Sequence, residues 1–102
     1  MRVKVSIIWL NYNSAKFINL ALSSLKSLFE LSNDDYEVIV VDNASSDNSF
    51  ETIRNFIECS KLSKIRVKVV RSDMNRGYSG GINLGWMARN PESKYVVFST
   101  MT

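Results

Sequence analysis

The chain has 102 residues, 45% of them hydrophobic and 23% charged, which suits one folded domain or part of one with a modest core. One cysteine, Cys59, excludes an internal disulfide framework, and the absence of histidine excludes a Cys–His nucleophile and removes the commonest general base and zinc ligand. The net charge of +3 is mild and spread out, and basic residues without repeated aromatic interleaving argue against a nucleic-acid partner.

Met1-Arg2-Val3-Lys4-Val5 carries charges in its apolar run, and Ser6-Ile7-Ile8-Trp9-Leu10 is too short for a signal or a membrane span, so nothing points to export. Val3 to Leu10 reads as a strand, nearly continuously apolar after Ser6 and so buried on both faces. Phe17, Leu20, Ala21, Leu25, Leu28 and Phe29 then recur at helical spacing, with Asn13 or Ser14 as the expected N-cap. Asn33-Asp34-Asp35 breaks that pattern, and Tyr36 to Val41 is a second strand. The polar stretch from Asp42 to Asn48 follows as a loop. Asn48 with Glu51 has capping-box spacing, and Phe50, Ile53, Phe56 and Ile57 supply the next helix's apolar face.

Ile65 to Val70 is a third strand, and Asp73 to Gly77 a turn. A glycine-rich helix is expected from about Ser79 to Arg89, closed by Asn90-Pro91, before a fourth strand from Lys94 to Phe98. Trp9, Trp86 and Met87 read most simply as core or, for the last two, interface residues. Lys61, Lys64, Arg66, Lys68, Arg71 and Arg76 make the middle of the chain basic, read as a solvated helix end and strand edge or as weak attraction to phosphates or an anionic membrane. Strand and helix alternation predicts an α/β domain with a mainly parallel sheet of about four strands and helices on both faces, and no boundary divides residues 1–102.

Ligands of such sheets bind at the carboxyl ends of the strands. Those ends are Asn11-Tyr12-Asn13, Asp42-Asn43-Ala44-Ser45, Arg71 to Asn75 and Ser99 to Thr102. A carboxylate at Asp42 has the acceptors to read a base imide or a ribose hydroxyl, or equally to organise its own loop. All four glycines lie between Asn75 and Gly85: Gly77 suits a positive φ, and Gly80-Gly81 permits close approach of a ligand or another element. Exposed N–H groups at that helix start would suit a phosphate, although the segment matches neither the P-loop nor the dinucleotide fingerprint.

In order, Val5 to Asn13, Tyr36 to Ser49, and Asn75-Arg76-Gly77-Tyr78-Ser79-Gly80-Gly81-Ile82-Asn83-Leu84-Gly85 resemble the first strand and loop, the second strand and aspartate loop, and the Asn-x-Gly segment of family 2 glycosyltransferases with the GT-A fold. Asp42-Asn43-Ala44-Ser45 together with the Asn75 to Gly85 segment is most similar to the rhamnosyl- and galactofuranosyltransferase-like branch. The resemblance covers nearly the whole chain. It implies a Rossmann-like nucleotide-binding half whose pocket uses Asn11, Tyr12 and Asn13, Asp42 and Ser45, and Asn75, Gly77, Tyr78 and Gly81, with Asp42 on the base. It further implies an inverting, cytoplasmic transferase, peripheral to the inner membrane face, that moves a sugar from a UDP, dTDP or GDP donor to a saccharide or lipid-linked acceptor in cell-surface polysaccharide synthesis.

The family's Asp-rich turn, which holds magnesium or manganese, and its catalytic base have no counterpart. The fourth strand leads into Ser99-Thr100-Met101-Thr102, and no carboxylate follows Glu92. The resemblance therefore implies a truncated donor-binding half, inactive alone and prone to self-association through exposed apolar surface; the alternative is a non-catalytic interaction or regulatory module on the same scaffold.

Overall fold

Val5–Asn11 (β1), Tyr36–Asp42 (β2), Arg66–Arg71 (β3) and Tyr95–Thr100 (β4) form one parallel sheet in the order β3-β2-β1-β4. They are seen in a computed structural model that describes residues 3–30, 35–60 and 66–100. A 3-10 turn at Ala15–Phe17 leads into Ile18–Phe29 (α1), and the remaining helices are Ser49–Cys59 (α2) and Gly77–Ala88 (α3).

The two central strands are largely apolar, Ser6, Asn11, Glu37 and Asp42 apart, because both faces are covered. On one face Ile7, Trp9, Val38 and Val40 pack with Ala21, Leu25 and Phe29 of α1 and Ile53 of α2. On the other, Ile8, Leu10, Ile39 and Val41 pack with Ile82, Leu84 and Ala88 of α3. Burial of such side chains is worth about 1.5–3 kcal/mol each, the main force holding the layers together. Trp9 is fully buried, and its Nε1 donates to Ser24 Oγ at 3.3 Å.

The chain runs outward from β1 through β2 to β3, and α3 then crosses back over the opposite face to β4. The strand order thus reverses between β1 and β4, the kind of place where open α/β sheets bind ligands at the carboxyl ends of their strands.

Glu37 is the exception in a strand otherwise of apolar residues up to Asp42. Its carboxylate is enclosed, accepts from Ser6 Oγ and Asn90 N at 2.6 Å each, and lies 3.1 Å from Lys68 Nζ. Lys68 Nζ also donates to Ala88 O at 2.8 Å, so the pair ties down the end of α3. Burial opposes ionisation of Glu37, but the Asn90 N–H, the Ser6 hydroxyl and the Lys68 ammonium outweigh it and hold the carboxyl below the usual range.

Several local expectations are corrected. The strand expected from Val3 begins at Val5, and the helix expected from Ser79 begins at Gly77. Asn33, Asp34, Lys61, Lys64 and Ile65 lie outside the described residues. Neither Asn13 nor Ser14 caps α1: Ser14 Oγ donates to Asn11 Oδ1 at 2.5 Å, and Asn13 turns to the loop after β2. Asn48 makes no side-chain cap either; Asp47 Oδ1 accepts from Ser49 N at 2.9 Å instead. The two loops lie against each other, so their polar side chains find partners across the gap rather than on their own helices. Trp86 and Met87 are 43% and 74% exposed and so outside the core, with the Arg89 guanidinium 3.8 Å from the Trp86 ring centroid.

Candidate functional site

Parallel register brings Asn11 of β1 beside Asp42 of β2 and Asp42 beside Arg71 of β3. All three are the last residues of their strands, so their side chains converge where the loops depart. Asp42 is wholly enclosed. Its Oδ1 accepts from Asn11 Nδ2 at 2.9 Å and Ser45 Oγ at 2.7 Å; its Oδ2 accepts from Ser45 N at 3.0 Å and lies 3.5 Å from Arg71 Nε. Each carboxylate oxygen is thus doubly engaged inside the protein.

Ser45 extends the lock, since its Oγ accepts from Asn13 N at 2.9 Å. Asn13 Oδ1 in turn accepts from Ser46 N at 2.7 Å. Asp47 Oδ2 accepts from Ala15 N at 3.0 Å. Burial opposes ionisation of Asp47, and hydrogen bonds from Ser49 and the Ala15 N–H overcome it, lowering its pKa. The loops after β1 and β2 are therefore one polar unit. Two of its residues sit at positive φ, Asn13 at 47° and Ala44 at 63°. Asparagine tolerates that region; alanine pays a steric cost.

Asn43 points the other way. Its Nδ2 donates to Gly77 O at 2.9 Å and its Oδ1 accepts from Arg76 N at 3.0 Å, which clamps the turn that opens α3. Gly77 has φ 72°, as its place in the turn predicts, and its N–H is taken by Asn75 Oδ1 at 2.8 Å. Gly81 lies against Leu10 and Gly85 against Ile8, so close that an added Cβ would come within 2.7 Å and 2.5 Å of those side chains. The glycines after Gly80 thus seat α3 on the sheet rather than lining a cavity.

The nine candidate residues do gather at one end of the sheet, but they divide in two. Asn11, Asp42, Ser45 and Gly81 are buried and build the site's frame. Tyr12, Asn75, Gly77 and Tyr78 face solvent along the rim, with Asn13 half-buried between the groups. Asn43 and Arg71 stand among the strand ends read from the sequence and Asp47 in the polar loop, but sequence reasoning assigns none of them to the pocket. The signal for Asn43 was its place directly after a strand-terminal aspartate, and for Arg71 its place at the carboxyl end of the third strand together with its charge.

Arg71 lines an open groove of about 530 Å³ with Ala44, Ser45, Ser46, Ser72 and Asp73. Among the described residues no three acidic, cysteine or histidine side chains cluster to hold a metal, and Asp42, the carboxylate at the sheet's end, is already engaged. The described side chains do not fit a divalent ion. No described helix is long and apolar enough to cross a membrane.

The sequence matches the family model described as Glycosyl transferase family 2 over residues 6–100. The chain belongs to glycosyl transferase family 2. Two curated relatives in this family are similar: an uncharacterized glycosyltransferase of Nostoc sp., 30% identical over 88% of this chain and 26% of its own length, and one of Haemophilus influenzae, 31% identical over 79% and 23%. The chain thus spans about a quarter of the length of these relatives. Among solved structures, S. aureus TarS in complex with UDP-GlcNAc has a TM-score of 0.73 and 26% identity, covering 96% of this chain and 26% of that one. The mannosyltransferase PcManGT from Pyrobaculum calidifontis, in complex with GDP-Man and Mn2+, has a TM-score of 0.72 and 26% identity, covering 88% and 25%. The α/β architecture with an all-parallel four-stranded sheet is therefore that of GT-A glycosyltransferases of this family.

Proposed function

We propose that this chain is the donor-nucleotide-binding part of an inverting enzyme that transfers a sugar from a nucleoside-diphosphate-sugar to an acceptor hydroxyl. One observation carries the reading: the ends of β1, β2 and β3 are locked together around Asp42 beside the strand-order reversal at β1 and β4, with Tyr12, Asn75, Gly77 and Tyr78 exposed near them. Such preorganisation lowers the ordering cost of binding a polar, flexible ligand. The similar structures bound to GDP-Man and to UDP-GlcNAc support a nucleotide-sugar as the donor class.

Among the described residues no group of three acidic, cysteine or histidine side chains offers a metal site, so in this reading the chain binds the donor and does not turn it over alone. The loop Asp42-Asn43-Ala44-Ser45 with the Asn75 to Gly85 segment supports the rhamnosyl- and galactofuranosyltransferase-like branch; the saccharide or lipid-linked acceptor, the cytoplasmic setting at the membrane face and the role in cell-surface polysaccharide synthesis follow in this reading from the family resemblance alone. Exposed Tyr95, Val97 and Phe98 on β4 support self-association.

Titration of the 15N-labelled chain with UDP, dTDP and GDP, with and without manganese, tests the binding. Shift changes at Tyr12, Asn75 and Tyr78 with at least one nucleotide are expected. No change with any of them defeats the reading.

A further inference from the structure

No acidic residue precedes Glu30, whereas Arg2, Lys4, Lys16 and Lys26 all do. Lys16 and Lys26 stand exposed on the 3-10 turn and on α1. Phe29 of α1 stacks on Phe56 of α2 with ring centroids 6.3 Å apart, while Ser24 of α1 accepts from Trp9 Nε1 of β1. The step from Ser24 to Phe29 turns a helix well past a right angle, so Ser24 marks the flank of α1 that faces away from α2, towards β4. Leu20 lies one turn before Ser24 on that flank, and Phe17 just ahead of it. Both are large apolar side chains, yet Leu20 is 64% and Phe17 55% exposed. Register with Val5 and Ile7 places Tyr95 and Val97 of β4 on the same side of the sheet, where they too are exposed. Exposed apolar groups therefore gather here instead of lying singly. Neighbouring elements do not supply the missing negative charge. Asp47, against the 3-10 turn, is half-buried and accepts from Ala15 N and Ser49 N. Glu51 and Glu58 sit on the side of α2 away from Phe56, and Glu30 and Glu92 lie at the opposite end of the sheet from Phe17.

We propose that this flank of α1 is a membrane-contacting surface: Phe17 and Leu20 enter the headgroup boundary of an anionic bilayer while Lys16 and Lys26 meet its phosphates. The inference rests on the membrane setting in the reading above, to which it gives a surface, and is independent of nucleotide binding. Charge selects this occupant. A second copy can pair along the edge of β4 in the plane of the sheet, but a two-fold partner on the flank would bring Lys16 and Lys26 against like charges. Trp86 and Met87, exposed on the opposite face, are poorer candidates, because Arg89 already lies over the indole ring. The 3-10 turn follows closely on Tyr12 and the end of β1, so docking here holds the carboxyl ends of the strands near the bilayer surface. A lipid-linked acceptor is then met at the level of its headgroup.

The test is co-sedimentation of the chain with vesicles of equimolar phosphatidylcholine and phosphatidylglycerol, beside vesicles of phosphatidylcholine alone. The chain should bind the mixed vesicles, lose that binding in high salt, and ignore the neutral ones. Phe17→Ser combined with Leu20→Ser should weaken binding about tenfold, and so should Lys16→Gln combined with Lys26→Gln. Met87→Ser, on the opposite face, should change nothing. All these positions are exposed, and the lysine pair keeps the test decisive should the apolar pair disturb folding. Binding that either α1 pair leaves unchanged, or that Met87→Ser weakens as much, overturns the surface while leaving the membrane setting intact. Equal binding to the neutral vesicles overturns the proposal as well. No binding to either vesicle overturns both the surface and the membrane setting, and donor binding is then still judged by the nucleotide titration. A chain that sediments as a dimer without lipid, and that the Phe17 and Leu20 changes make monomeric, has a second copy on the flank and also overturns the proposal.

Discussion

Asn11 and Asp42 end adjacent strands as register partners, and the amide of the first donates to the enclosed carboxylate of the second at 2.9 Å. Two of the loops that frame the site depart from this bond. Asp42→Asn would put an NH2 donor where a carboxylate oxygen now accepts, facing donors already aimed at it, and a loss of about 3 kcal/mol of unfolding free energy is expected by urea denaturation. Asn11→Ala should lose about 2 kcal/mol, because it strips a donor from Asp42 and an acceptor from Ser14. The double variant should fall short of the sum, since the two share one bond.

Ala44 holds φ 63° between Asn43 and Ser45. Ala44→Gly removes the Cβ clash of that conformation, worth about 1–2 kcal/mol, at the expense of extra chain entropy in the unfolded state. A net gain of about 0.5–1 kcal/mol in thermal or urea unfolding is expected. Ala44→Val should move the other way and lose at least as much, since branching at Cβ worsens the same clash.

Gly81 and Gly85 both seat α3, but against different parts of their neighbours. A Cβ at Gly85 would lie 2.5 Å from Cγ2 of Ile8, a wholly buried side chain branched close to the backbone; one at Gly81 would meet Cδ1 of Leu10, the mobile end of its side chain. Alanine gains about 1 kcal/mol of helix propensity at either site. Gly85→Ala should nonetheless lose about 1–2 kcal/mol through overpacking, and Gly81→Ala should be near neutral. Chemical denaturation of the two variants side by side checks the ranking.

Glu37 and Asp47 are both held below the ordinary carboxylate range in the folded chain. For a depressed acid the unfolded state binds the proton first, so its stabilisation is complete above the unfolded pKa and disappears as pH falls through the folded one. Urea midpoints should therefore be level near neutrality and decline below about pH 4. Glu37→Gln should flatten the acid limb in proportion to Glu37's share, while lowering stability at neutral pH because Lys68 loses its partner.

The layered fold was legible because β1 and β2 are covered on both faces and so read as unbroken apolar runs, while α1 and α2 show one apolar face each. Gly77 announced its turn for a similarly local reason. The site's frame was less legible. Ser14, Asn13 and Asn48 look like helix caps in sequence, yet the first two bond across to Asn11 and the β2 loop, and Asp47 takes the capping bond at α2. Arg71 reads as an edge charge on an exposed strand, and only register with Asp42 and the nearness of Phe50 give it its place. The contacts of Asn13 and Arg71 join residues far apart in sequence, where no periodic pattern records them.

The pairing of β1 with both β2 and β4 governs how the molecule is made. β2 follows β1 after a single helix, whereas β4 reaches Val5 through Tyr95 only after every other described element. During synthesis, β1 to β3 with α1 and α2 emerge as a half-finished layer whose second apolar face, Ile8, Leu10, Ile39 and Val41, waits for α3. Non-local parallel pairing of this kind closes slowly and leaves such surfaces open to wrong contacts. The interval in which the nascent chain is vulnerable is thus set by translation of the stretch from Gly77 to Thr100, and the same α3 that rims the proposed nucleotide site ends it.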